Sequence, residues 1–127
     1  MMKIGITGSL ASGKTTASKV LSLRRGPLFS ADKTVKEFYQ NKNFKSLIRK
    51  RFKIKNNEGL KKSLKKLILK NKKNIKKLEE IIHPKVRKKM IHFSLKNRNK
   101  RFLFYEIPLL IESKLMKYFN IIIFIKA

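Results

Sequence analysis

The sequence predicts an α/β fold in three layers, α/β/α, with a parallel sheet and a mostly helical insert between its second and third strands. Three observations carry the prediction. Short apolar runs at 2–7, 102–107 and 120–126 have strand length and are separated by stretches of helical periodicity. The last of them, NIIIFIK, is continuously apolar, as a parallel strand covered on both faces would be. A glycine-rich G-x-x-x-x-G-K-[ST] pattern at residues 8–15 joins the first run to the first helical stretch.

The elements follow in order. MKIGIT at 2–7 is the first strand, and residues 16–23 form a helix that buries Ala17, Val20 and Leu21 and stops at Gly26-Pro27. LFSA at 28–31 is a weaker second strand. From Asp32 onward Val35, Phe38 and Tyr39, then Phe44, Leu47, Ile48 and Phe52, recur at helical spacing as two helices split near residues 41–43. Asn56 to Gly59 is a turn. Leu60, Leu64, Leu67, Ile68, Ile75, Leu78 and Ile82 then keep one helical stripe, with a break allowed at residues 71–74. Pro84 is expected to open a new helix as its first residue, with Val86, Met90 and Phe93 on one side and His92 on the surface. FLFYEI at 102–107, a short helix and the strand at 120–126 complete the order.

Charge narrows the chemistry less than the motifs do. The chain has 127 residues, 34 Lys plus Arg against 7 Asp plus Glu, and a net charge of +27. Polyanions are favoured partners on that balance. The lysines are spread over residues 42–101, however, and accompany many isoleucines and asparagines, a pattern that biased composition also produces. Nucleic acid is therefore a less favoured partner than a small phosphorylated molecule. There is no cysteine, which excludes disulfide and thiolate chemistry. MMKIGITGSL is too short and glycine-interrupted for a signal peptide, and no apolar run approaches a membrane span, so a cytoplasmic protein without a membrane partner is expected.

The sharpest chemistry sits at the first strand-to-helix junction. Gly8, Gly13, Lys14 and Thr15 satisfy the phosphate-loop pattern, and Ser9, Leu10, Ala11, Ser12 and Thr16 complete the segment GSLASGKTT. Such a loop turns successive backbone N–H groups onto phosphate oxygens at the positive end of a helix. Lys14 would reach the β- and γ-phosphates of ATP, and the Thr15 hydroxyl would ligate Mg²⁺. These expectations make the fold of the P-loop NTPase type. Asp32 follows the second strand, where it serves either as a catalytic carboxylate or as the N-cap of the next helix; spacing leaves both open. Glu106 ends the third strand on the same sheet edge, either as a metal-positioning acid or as a solvated strand-end charge. No N-K-x-D pattern is present, which argues against a GTPase.

Four segments in register resemble one known family. GSLASGKTT, FSADKTVKEFY at 29–39, LEEIIHPKVR at 78–87 and EIPLLIES at 106–113 are similar, in order and spacing, to dephospho-coenzyme A kinases, which use ATP to phosphorylate the ribose 3′-hydroxyl of dephospho-coenzyme A. The resemblance implies that Asp32 stands near the acceptor hydroxyl, as the last residue of the family's D-A-D element. It implies acceptor-substrate roles for His83, Pro84 and Arg87 (H-P-x-V-R) and for Pro108, Leu109, Leu110 and Glu112 (P-L-L-x-E). The residues alone leave His83 open as a helix-junction hydrogen bonder, Arg87 as a solvated cation and Glu112 as an ion-pair partner. Ser9 and Ala11 depart from the family's loop glycines, and Ser30 replaces the first aspartate of D-A-D. The family continues beyond its fourth strand with an arginine-bearing lid helix and a fifth strand. Residues 1–127 are accordingly expected to be the N-terminal part of one kinase domain, with an acceptor-binding helical insert at about 33–101. Three rival readings are another P-loop small-molecule or nucleotide kinase, a truncated nucleotide-binding paralogue, and a basic nucleic-acid-binding module. Oligomeric state is not legible in the sequence.

Overall fold

In the computed structural model, which describes residues 1–8, 13–108 and 115–126, four parallel strands form one sheet in the order β2-β3-β1-β4. Strand β1 spans Met2–Gly8, β2 Leu28–Ser30, β3 Phe102–Glu106 and β4 Ile121–Ile125. Helices α1 (Lys14–Ser22), α2 (Ala31–Phe38), α3 (Lys42–Phe52), α4 (Leu60–Lys70) and α5 (Lys73–Lys96) connect them, with a 3₁₀ turn at Met116–Tyr118 before β4. The predicted α/β class and parallel sheet are present. Two compact units divide the chain, one made of Met1–Thr34 with Arg87–Ala127 and the other of Val35–Val86.

The sheet unit has both faces covered. Because β1 and β3 run in register, Ile4 opposite Phe104 and Ile6 opposite Glu106, alternate residues of both strands share a face. On one face Ile4, Ile6 and Phe104 pack with Leu21 of α1 and with Leu28 and Ile123. On the other, Tyr105 stacks against Phe93 of α5, Phe29 and Phe119. The Ser94 hydroxyl donates to Met90 O at 2.9 Å and is hydrogen-bonded to Tyr105 and Tyr118. That satisfies the polar ends of the buried Tyr105 and the half-buried Tyr118, which an apolar layer would otherwise leave unpaired. Gly5 lies beneath this aromatic layer, where a Cβ would come within 2.8 Å of the Phe119 ring.

The helical unit has its own core of Phe44, Ile48, Ile54, Leu60 and Leu64, flanked by Phe38, Leu67, Leu78 and Ile82. Its joints are set by local chemistry. Asn41 caps α3 by accepting from Phe44 N at 3.0 Å. Arg49 donates to the carbonyls of Lys55 and Glu58, closing the turn that leads into α4. Between α4 and α5 the Asn71 side chain accepts from Lys73 N at 3.0 Å, so the break in the stripe is shorter than the predicted 71–74 window.

Several expectations are corrected. Val20 is 62% exposed while Ser18 and Ser22 are buried, because α1 begins at Lys14 and turns its small residues to the sheet. Ala31 starts α2 instead of ending β2. Leu47 and Ile75 are exposed, so the apolar stripe is narrower than the periodicity suggested. Among the described residues β4 pairs only with β1, and Ile121 and Phe124 are exposed where the apolar run predicted cover on both faces. Pro84 does not open a helix. It lies inside the continuous α5, where it leaves Glu80 O without its usual N–H donor, and the deep burial of His83, Val86 and Met90 around it offsets that loss.

Candidate functional site

The carboxyl ends of β1, β2 and β3 lie side by side, with Ile6 opposite Glu106 and Ser30 opposite Glu106. In open α/β sheets that edge is the ligand crevice. Gly13 caps α1 with φ 79 and ψ 17, a left-handed conformation that a Cβ would strain. Among the described residues no atom lies within 4 Å of where a Cβ would stand, so the backbone angle is what favours glycine here. This turn aims α1 so that the unpaired N–H groups of its first turn, and Lys14 and Thr15, face the end of the sheet.

Two contacts tie α1 to the strand ends. Lys14 Nζ lies 3.4 Å from Asp32 Oδ2, with the lysine side chain 12% and the aspartate 41% exposed. Thr15 Oγ1 donates to Glu106 Oε1 at 3.2 Å. Glu106 is only 2% exposed, which overturns its reading as a solvated strand-end charge. Burial pushes the Glu106 carboxyl up from its ordinary range; the Thr15 hydrogen bond opposes the shift, neighbouring Asp32 adds to it, and Lys14 opposes it. The alternative capping role of Asp32 is filled by another residue. Ser30 Oγ accepts from Lys33 N at 3.2 Å, the N-cap geometry, and Ser30 O accepts from the Thr34 hydroxyl at 2.8 Å. Asp32 is thereby left free to face Lys14.

The site joins a helix N-terminus, a lysine, a hydroxyl and two carboxylates around one crevice, a set suited to an anion accompanied by a hard cation. Among the described residues no group of three or more His, Cys, Asp or Glu side chains forms a metal cage. A cation here would be held through one or two protein oxygens. A family model described as dephospho-CoA kinase matches residues 2–127. The chain belongs to the dephospho-CoA kinase family. The dephospho-CoA kinase of Rickettsia conorii is 38% identical over 123 residues, covering 97% of this chain and 64% of that protein. That of Bartonella quintana is 36% identical over 131 residues, covering 100% of this chain and 67% of that protein. The crystal structure of TT1252 from Thermus thermophilus superposes with a TM-score of 0.78 at 26% identity, over 99% of this chain and 65% of that one. The chain thus spans slightly under two thirds of the length of its first relatives.

The remaining residues of the dephospho-CoA kinase motifs are described in part. Gly8 is buried at the end of β1, and Thr16 is exposed on α1. His83 is buried in the helical unit, within α5 and not at a helix junction, whereas Arg87, one turn later, is exposed and belongs to the sheet unit. Pro108 is half-buried just after β3. Ser9, Leu10, Ala11, Ser12, Leu109, Leu110 and Glu112 lie outside the described residues. Ser30 is the functional residue that sequence reasoning passed over: a serine three positions before the helix-committed Lys33 is an N-cap signal, obscured by reading the position as a lost aspartate. No described helix is long and apolar enough to cross a membrane.

Proposed function

We propose that the chain carries the catalytic sheet edge of a kinase that transfers the γ-phosphoryl group of ATP to the ribose 3′-hydroxyl of dephospho-coenzyme A, giving coenzyme A. Family membership supports the reaction. The single geometric observation behind it is the pair of contacts Lys14–Asp32 and Thr15–Glu106 at the carboxyl ends of β2 and β3.

In this reading the N-terminus of α1 and the loop from Gly8 to Thr15 hold the ATP phosphates, and Lys14 neutralises charge on the transferring group. Lys14 cannot give its full charge to both Asp32 and a phosphate. Nucleotide binding would therefore loosen the 3.4 Å ion pair and leave the Asp32 carboxylate able to orient, or take the proton from, the attacking hydroxyl. The hard oxygens of Thr15 and Glu106 fit Mg²⁺, which would supply charge neutralisation on the β- and γ-phosphates when bound. We assign the helical insert at about 33–101 to the acceptor, with His83 and Arg87 on its last helix and Pro108, Leu109 and Glu112 after β3 as further acceptor contacts. Both proposed substrates are water-soluble, and a cytoplasmic location goes with them.

The test is ADP release by this chain with dephospho-coenzyme A against other hydroxyl acceptors, paired with calorimetric titration of MgATP. Lys14→Ala is expected to abolish turnover and weaken MgATP by at least tenfold. Undiminished turnover in that variant, or equal rates with unrelated nucleosides, would overturn the reading.

A further inference from the structure

The helical unit contains a groove of about 410 Å³ lined by none of the residues named above for ATP or the acceptor. Its apolar lining comes from three helices: Val35 of α2, Leu64 and Ile68 of α4, and Leu78 of α5. Leu69 forms a lip and is 77% exposed, an unusual position for a leucine with a neighbouring apolar floor. The rim is cationic. Lys36, Lys61 and Lys65 border the groove, and no carboxylate is among its lining residues. Lys61 Nζ stands 5.8 Å from the centre of the Tyr39 ring, itself part of the lining, which keeps that ammonium at the mouth.

Charge and size together select the occupant. Three lysines, with no carboxylate among the lining residues, favour an anionic head, and burying an unpaired carboxylate or phosphate elsewhere on an apolar floor would be costly. The floor offers almost no hydrogen-bonding groups besides Tyr39, so a nucleoside would leave its donors and acceptors unpaired, whereas an alkyl chain would leave none. A volume of about 410 Å³ falls in the range of small-molecule sites, and a stable protein partner would need an interface of roughly 1,000 Å² or more. From Lys61 to Leu69 the groove follows α4 for about 12 Å, at about 1.5 Å per residue, a length that accommodates an extended alkyl chain.

We infer that this groove binds a single-chain anionic amphiphile, with its alkyl chain on Val35, Leu64, Ile68 and Leu78 and its anionic head among Lys36, Lys61 and Lys65. The inference goes beyond the proposed kinase reaction and does not depend on Lys14 or Asp32. The probe is dodecanoate below its micellar concentration, titrated calorimetrically into the full chain, with dodecanol as the uncharged match. Saturable one-to-one binding of dodecanoate, at least tenfold tighter than dodecanol, is expected. Lys61→Glu with Lys65→Glu should weaken it at least tenfold, and so should Leu69→Asp; both sites are exposed, and unchanged thermal unfolding will show that each variant folds. Lys14→Ala should leave dodecanoate binding unchanged. Equal binding of dodecanol, indifference to both groove variants, or one-for-one displacement by dephospho-coenzyme A would each overturn the inference. So would binding to vesicles of anionic phospholipid without binding to monomeric dodecanoate.

Discussion

Glu106 carries the cost of burying a carboxyl at the end of a strand. Its carboxyl is buried at the end of β3, accepts from Thr15 and faces Asp32, and burial raises its pKa. An acid raised in the folded state contributes stability below its unfolded pKa of about 4.3 and loses that contribution as pH rises through the folded value. Glu106→Gln keeps an acceptor for Thr15 and removes the charge. The variant should therefore gain stability over the parent as pH rises above about 4.3, the difference levelling off once the parent's Glu106 is fully ionised; denaturant titrations from pH 4 to 8 measure it, and a pH-independent difference would contradict the burial argument. Added MgATP should reverse the ranking, since Gln is a poor Mg²⁺ ligand. Ser30 makes a second residue-scale case. Ser30→Ala removes the cap on Lys33 N and should cost about 1 kcal/mol in denaturant unfolding. Sequence alone located Lys14 and Thr15 by the glycine-rich loop pattern, and Asp32 and Glu106 by their places at predicted strand ends. It could not choose between their alternative roles, because burial and the identity of the N-cap are decided by which side chains meet in space.

At the scale of elements, periodicity recovered every strand and helix of the described fold except where one local rule competed with packing. Pro84 is the clearest case. A proline is expected to begin a helix because it lacks the N–H that a helix interior needs, yet α5 runs through it from Lys73 to Lys96. Buried Val86 and Met90 beyond it and His83 before it make the continuous helix the better solution. The defect is real nonetheless, and Pro84→Ala should restore a donor to Glu80 O and stabilise the fold by about 1–3 kcal/mol, less than the full helix-interior penalty because proline also restricts the unfolded chain. A lower denaturation midpoint in that variant would mean that Pro84 fits a conformation alanine cannot hold. Gly26 behaves oppositely. A Cβ there would lie 2.0 Å from Phe102 O, a backbone atom with no room to give, so Gly26→Ala should destabilise by several kcal/mol although the position reads as an ordinary helix stop. The exposure of Ile121 and Phe124 in β4 was illegible for a different reason: an apolar run fits a strand covered on both faces but does not say which of its residues are covered.

The whole molecule is dominated by unbalanced charge. With 34 Lys plus Arg and 7 Asp plus Glu, at least 27 cations have no acid of their own to pair with, and Lys14–Asp32 shows that even the site draws on the scarce carboxylates. Mutual repulsion among exposed lysines destabilises the compact state and is screened beyond about 10 Å at 0.1 M salt. Raising NaCl from 0.02 to 0.5 M should therefore raise the unfolding temperature, each kcal/mol of relief corresponding to roughly 4 °C or more for units of this size. Specific phosphate binding separates from this general effect. If phosphate binds at the N-terminus of α1 as proposed, tripolyphosphate at constant ionic strength should add a further stabilisation that saturates with concentration and disappears in Lys14→Ala. If instead polyphosphate stabilises Lys14→Ala as strongly as the parent, the bulk charge would be the main phosphate attractor, and the chain would behave toward polyanions as a diffuse basic surface.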